Sequence, residues 1–143
     1  MSTIGSRAAA NLAVVGGIYD AFGRGDIDFI LEQIAEDCAW ESWLDNHGQK
    51  AGIPPMKPRY GRAEVAEFFA YVATMPIINF QVLDLLANDH QVAVEVQISI
   101  AMSNGATLTD EEMHLYSLDD EGKVSRLRHY VDTAKQIRAY RLM

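Results

Sequence analysis

An imidazole, two phenols, a guanidinium and a carboxylate crowd the C-terminal end of this chain: His114, Tyr116, Arg128, Tyr130 and Asp132. Carboxylates and imidazoles take and return protons, and phenols and imidazoles donate to oxygen, so this set suits acid–base chemistry in a pocket. Asp132 reads as a general base in an apolar pocket, and His114 as its acid–base partner or as a donor to a substrate oxygen. The segment that must hold them has two β-prone arms, Met113 to Leu118 and Val124 to Asp132, around the turn-forming run Asp119-Asp120-Glu121-Gly122-Lys123. That is a β-hairpin pattern, with Gly122 free to take the positive φ of the turn. Alternation puts His114 on one face with Glu112 and Tyr116, and Asp132 on one face with Tyr130 and Arg128. Whether those faces coincide depends on hairpin register, which sequence does not give. Structural readings stand beside the chemical ones: Asp132 before Thr133 can cap a terminal helix, and a lone His on a strand often serves packing.

Other positions offer weaker chemistry. Glu95 lies in the run Gln91 to Ile98, opposite the apolar row Val92, Val94, Val96 and Ile98. Its default is a solvated or dimer face; a pocket role would rest on pairing with His114. Tyr19, Trp40, Phe68 and Phe69 fall on aromatic stripes that usually pack in a core and can also line a pocket. His47, His90 and His129 receive no role. No two His or Cys residues have ligand spacing, so no metal site is expected. No Gly-rich phosphate loop occurs, and no cofactor is expected.

The 143 residues suit one domain, 1–143, with a single core. A formal net charge of -8 argues against nucleic-acid binding, which needs a basic stripe to neutralise phosphates. The lone Cys38 cannot form an internal disulfide and fits a reducing compartment. The N-terminus lacks a signal-peptide layout, and no apolar run approaches the roughly 20 residues of a membrane span. A cytoplasmic, soluble chain is the expectation.

The elements follow from periodicity. Leu12, Val15, Ile18, Tyr19 and Phe22 predict a helix over Arg7 to Phe22, stopped by Gly23-Arg24-Gly25. Asp26 caps a second helix marked by Ile27, Ile30, Leu31 and Ile34. A short strand over Ala39 to Leu44 would put Trp40 and Trp43 on opposite faces. The Pro- and Gly-rich stretch Asp45 to Arg59 reads as a lid, a binding loop or a surface insertion. A third helix spans Arg62 to Thr74. Strands Ile77 to Leu86, Gln91 to Met102, Leu108 to Leu118 and Val124 to Asp132 form a meander, with turns at Asn88-Asp89 and Ser103-Asn104-Gly105. Thr133 to Leu142 closes the chain as a short helix or a tail. Helices followed by antiparallel strands predict an α+β domain.

Several words in this layout resemble the nuclear transport factor 2-like superfamily, in its SnoaL-like and ketosteroid-isomerase-like branch. They are Ala21-Phe22 with Gly25-Asp26, Ala35 to Trp40, Tyr60-Gly61-Arg62, Asp120 to Val124, and Arg128 to Asp132. The resemblance implies a cone: a curved antiparallel or mixed sheet packed on three N-terminal helices, cystatin-like, with a deep apolar pocket and homodimers formed through the sheet. Steroid isomerases place a carboxylate base where this chain has Ser42, and their oxyanion groups fall at Ile18 and His114, so that mechanism is not expected here. Of the limonene epoxide hydrolase set only Asp132 matches; the others fall near Glu95, Gln97, Trp40 and Ser42. Similarity to polyketide cyclases implies a late aspartate as general acid–base, met by Asp132 with His114. The expectation is a cofactor-free isomerase, cyclase or dehydratase acting on an apolar carbonyl-bearing substrate. Asp132 and His114 would be catalytic, and Tyr19, Trp40, Glu95, Tyr130 and Phe69 would bind a small apolar or aromatic ligand. The alternatives are a non-catalytic carrier or sensor, or an assembly module using the sheet face.

Overall fold

The computed structural model describes every residue except 1–3, 42, 44, 103–104 and 142–143, and it describes the backbone alone at Ile4 and Gly5. The Ser42 position, the strand end at Leu44, Ser103 and Asn104 of the expected turn and the helix end at Leu142 lie outside the described residues. Helix α1 runs Ile4–Arg24. It stops where Gly25 takes φ 72° and the amides of Gly25 and Asp26 reach back to the carbonyls of Phe22 and Ala21. The Asp26 carboxylate then accepts from the Phe29 amide at 3.1 Å and starts α2, Ile27–Glu32. Strand β1 covers Ile34–Trp40, so Ile34 belongs to the sheet and not to the helix its spacing suggested. Trp43 follows in a bend, because Glu41 has φ 62° and breaks the extended run after Trp40.

The Asp45 to Arg59 stretch is partly ordered into regular structure. It holds α3, His47–Lys50, capped by Asn46, a 3-10 turn at Pro54–Met56, and the start of β2, Arg59–Tyr60. Helix α4, Gly61–Val72, begins on a glycine with φ 85°, where an added Cβ would sit 3.2 Å from the Glu36 carbonyl. Strands β3 (Ile77–Ala87), β4 (Gln91–Ala101), β5 (Thr107–Leu118) and β6 (Val124–Tyr130) precede the final helix α5, Thr133–Arg141.

The six strands form one sheet in the order β2-β1-β6-β5-β4-β3, with β1 and β6 parallel and the other pairs antiparallel. The fold is α+β: α1, α2 and α4 cover the inner face of a curved mixed sheet. Val92, Val94 and Val96 are completely buried on that face, each contributing about 1.5–3 kcal/mol of apolar burial. They meet Val15, Ile18 and Ala21 of α1, Val65, Phe68 and Phe69 of α4, and Trp40 of β1. One irregularity matters for the site. Ser117 pairs with Arg126 while Leu118 pairs with Val124, so Ser125 is the extra residue of a bulge. Beyond the bulge it is Leu127 and His129 that point inward. None of the described helices is long and apolar enough to cross a membrane.

Candidate functional site

Beneath the helices the sheet does not close solidly. A cavity of about 90 Å³ remains, walled by apolar and aromatic side chains including Ile18, Phe22, Trp40, Phe69 and Phe80. Pro55 and Met56 from the 3-10 turn line it as well, so the long loop contributes part of the wall. Into this apolar shell the inner face of β5 delivers a polar row. Alternation along the strand buries Asp110, Glu112, His114 and Tyr116 in succession. The β5–β6 register sets His129 directly opposite His114, and both rings line the cavity. From α1, Tyr19 stacks against His114 at a centroid distance of 5.9 Å and meets Tyr116 edge-on at 6.0 Å.

These groups form one hydrogen-bonded chain. His129 Nδ1 lies 2.8 Å from Glu41 Oε1, and its Nε2 lies 2.7 Å from Glu112 Oε1. The same Glu112 oxygen is 3.1 Å from His114 Nε2. His114 Nδ1 is hydrogen-bonded to the Tyr19 hydroxyl, and the Tyr116 hydroxyl donates to the Tyr19 oxygen at 2.9 Å. On the far side of Glu112, Gln136 Nε2 from α5 donates to Oε2 at 3.1 Å and to Asp110 at 3.4 Å.

The protonation pattern follows from this geometry. Burial alone would push the Glu112 carboxyl up, but the charge of His129 and hydrogen bonds from both imidazoles hold it well below the usual carboxylate range. Burial would likewise lower His129; the Glu112 and Glu41 carboxylates outweigh it and hold the ring well above an ordinary histidine. His129 is therefore an imidazolium donating through both nitrogens. His114 is pushed down to about 4, by burial and then by the charge of His129. It is neutral, donates from Nε2 to Glu112 and accepts the Tyr19 proton at Nδ1. Burial pushes Glu41 up, more than His129 pulls it down. Burial also keeps the Tyr19 and Tyr116 phenols protonated by pushing both above their ordinary range.

The expected site residues divide into two groups. His114, Tyr19, Trp40 and Phe69 all line the cavity. Asp132 does not join them, which corrects the expectation that it shares a cavity with His114. It lies beyond the end of β6, exposed, with its carboxylate accepting from the Lys135 amide at 3.0 Å as the cap of α5. Tyr130 and Arg128 are on the outer face with Met113 and Leu115, and Tyr130 packs on Trp43 at 4.8 Å. Glu95 pairs across with Met113 while Val94 pairs with His114, so Glu95 is exposed on the opposite face and does not meet the imidazole.

The carboxylates that do meet the imidazoles are Glu112 and Glu41, and the second imidazole is His129. Glu112 was visible as a face-mate of His114. His129 alternates with Leu127 against the polar row Arg126, Arg128 and Tyr130, a pattern that marks its face as the inner one. Glu41 carried no such signal: its side chain is completely buried only because the left-handed backbone at that residue turns it inward.

Comparison with known proteins places this architecture. No curated protein matches the chain. An NTF2-like protein of unknown function from Burkholderia pseudomallei K96243 is 23% identical, with a TM-score of 0.73, covering 91% of this chain and 96% of its own. TerC, co-crystallised with polyporic acid, is 22% identical with a TM-score of 0.74, covering 92% and 98%. A candidate polyketide cyclase from Xanthomonas campestris pv. campestris is 22% identical with a TM-score of 0.71, covering 93% and 98%. At such identities these likenesses speak for the fold alone. The SnoaL-like domain model matches residues 15–127, most of the chain and every strand but the last few residues of β6. The chain belongs to the SnoaL-like domain family.

Proposed function

We propose that the cavity takes a small, largely apolar, oxygen-bearing molecule and moves protons on it, as an isomerase, cyclase or dehydratase acting on a carbonyl-bearing substrate. The observation that carries this reading is a directional hydrogen-bond chain, Tyr116 to Tyr19 to His114 to Glu112, lying in a largely apolar cavity. A substrate proton reaches His114 Nδ1 by way of Tyr19, whose hydroxyl passes its own proton to the ring as its oxygen takes the new one, and the positive charge developing on the ring is met by Glu112 Oε1 at 3.1 Å. Both phenol protons are already given along the chain, so the donor left for the substrate oxygen is the Trp40 indole N–H, in a water-poor surrounding where such donors act strongly. Glu41 and His129 are positioning residues that fix Glu112. The Trp40 indole N–H is buried in the cavity wall with no hydrogen-bond partner among the described residues. A ligand oxygen meeting it would relieve about 1–3 kcal/mol of unmet desolvation. The co-crystallised ligand of TerC and the cyclase description of the Xanthomonas protein support the same direction.

The test is a binding and turnover screen with aromatic and terpenoid carbonyl compounds, repeated with His114→Ala. Turnover lost with binding retained supports the catalytic reading; turnover that survives the substitution overturns it. Binding without turnover in the unmodified protein would make the chain a carrier or sensor. We propose further that two copies pair through the outer sheet face, on the strength of Ile78 and Leu86, which stand 61% and 58% exposed on β3.

A further inference from the structure

Three ligand-capable atoms converge at the centre of the polar row: Glu112 Oε1, His114 Nε2 and His129 Nε2, all within 4.8 Å of one another. We propose that these atoms form a binding site for a divalent first-row transition ion, an occupancy that goes beyond the acid–base reading and competes with it. Two imidazoles and one carboxylate make a common N₂O donor set for zinc and for iron(II), leaving positions open for water or a ligand oxygen.

The spacing suits an ion. Ligand atoms at about 2.0–2.1 Å from a metal lie roughly 3 Å from each other in neighbouring positions. The carboxylate oxygen here lies 2.7 Å from one imidazole nitrogen and 3.1 Å from the other. All three side chains line the cavity, so the open positions would face the space a ligand enters.

The outer contacts are those a metal centre needs, and these carry the inference beyond a bare cluster. His129 is held from behind by Glu41, a carboxylate with no solvent exposure, at 2.8 Å from Nδ1. His114 is held through Nδ1 by Tyr19, and the second oxygen of Glu112 by Gln136. Every ligand thus has its remaining polar atom fixed by a neighbour, the arrangement that orients metal-bound imidazoles and carboxylates. Glu112 and His114 are two apart on one strand and His129 comes from the next strand. A search for helical or Cys-based ligand spacing passes over such a site.

Occupancy requires the protons now on the two Nε2 atoms to leave. The one on His129 passes to solvent, and His114 changes tautomer so that Nδ1–H points at the Tyr19 oxygen. In that state His114 has no free lone pair for a substrate proton, so an ion and proton transfer exclude each other.

The experiment is a titration of chelator-treated protein with Co²⁺, followed by displacement with Zn²⁺, without any substrate. The expected result is visible ligand-field absorption that saturates at one equivalent and is abolished by Zn²⁺. In NMR spectra of the unmodified protein, Zn²⁺ should shift the imidazoles of His114 and His129 and leave those of His47 and His90 in place. Glu41→Gln should weaken binding about 10- to 100-fold, whereas Asp132→Asn should leave it unchanged. Absorption that never saturates, or shifts confined to His47 or His90, would overturn the site. Because no substrate is used, that failure would leave the proton-transfer reading untouched, and failure of turnover would leave the metal site untouched.

Discussion

His114 and His129 face each other across the β5–β6 pair, ring centroids 4.3 Å apart at 83°, and both meet a single oxygen, Oε1 of Glu112. One ring is a cation and the other is neutral, although they are direct partners in the ladder. The difference lies behind them: His129 has a second carboxylate, Glu41, where His114 has the Tyr19 hydroxyl. Two histidines with one shared acceptor are thereby given different proton states by their outer neighbours.

Glu112 is the charge on which both rings depend, so Glu112→Gln is expected to destabilise the fold. It leaves a buried imidazolium with one carboxylate fewer, a loss of about 3–5 kcal/mol for a broken buried pair. Urea denaturation of the variant beside the parent measures it. A difference below about 1 kcal/mol would mean that His129 is neutral in the folded protein.

Asp132 is assigned to capping, and its removal should act on α5 alone. Asp132→Ala is expected to lower stability by about 0.5–2 kcal/mol, the usual range for a lost cap, and to leave ligand affinity as it was. Thermal denaturation and a ligand titration check the two halves. A large loss of affinity with normal stability would return Asp132 to the site.

Much of this arrangement was legible in the sequence, and the misses have physical causes. The alternation that put Glu112, His114 and Tyr116 on one face is what the structure has. Alternation alone left open which face of β6 is the inner one, which the bulge at Ser125 and the register that sets His129 on His114 fix in the structure. The composition of β6 does carry that choice, since Arg126, Arg128 and Tyr130 form the polar row. Glu41 was hidden for another reason: its inward turn comes from a left-handed backbone at a non-glycine residue, which no periodicity announces. The first strand was read too late in the chain because the helix-like spacing of Ile27, Ile30, Leu31 and Ile34 runs past the Glu32 end of α2 and into β1.

Cys38 is free and wholly buried, and burial, helped by the neighbouring Asp37 charge, pushes its thiol up to about 12. Since the thiolate is the reactive form, roughly one molecule in ten thousand would carry it at pH 8. Thiol-specific reagents should leave the native protein unlabelled and label it fully in denaturant. Rapid native labelling would show that β1 opens readily.

Pairing through the outer sheet face makes its own demand. Leu86→Lys combined with Ile78→Lys would set charges on an apolar contact, and light scattering after size exclusion should change from dimer to monomer. An unchanged mass would move the interface elsewhere or remove it.

Proton transfer by His114 is tested most directly by hydrogen–deuterium exchange at the carbon beside the carbonyl of a bound ketone, followed by NMR in heavy water. The protein should exchange that position, and His114→Ala should slow it by about two to four decades while still binding the ketone. Equal exchange in the two proteins, or none for any ketone that binds, would contradict the account.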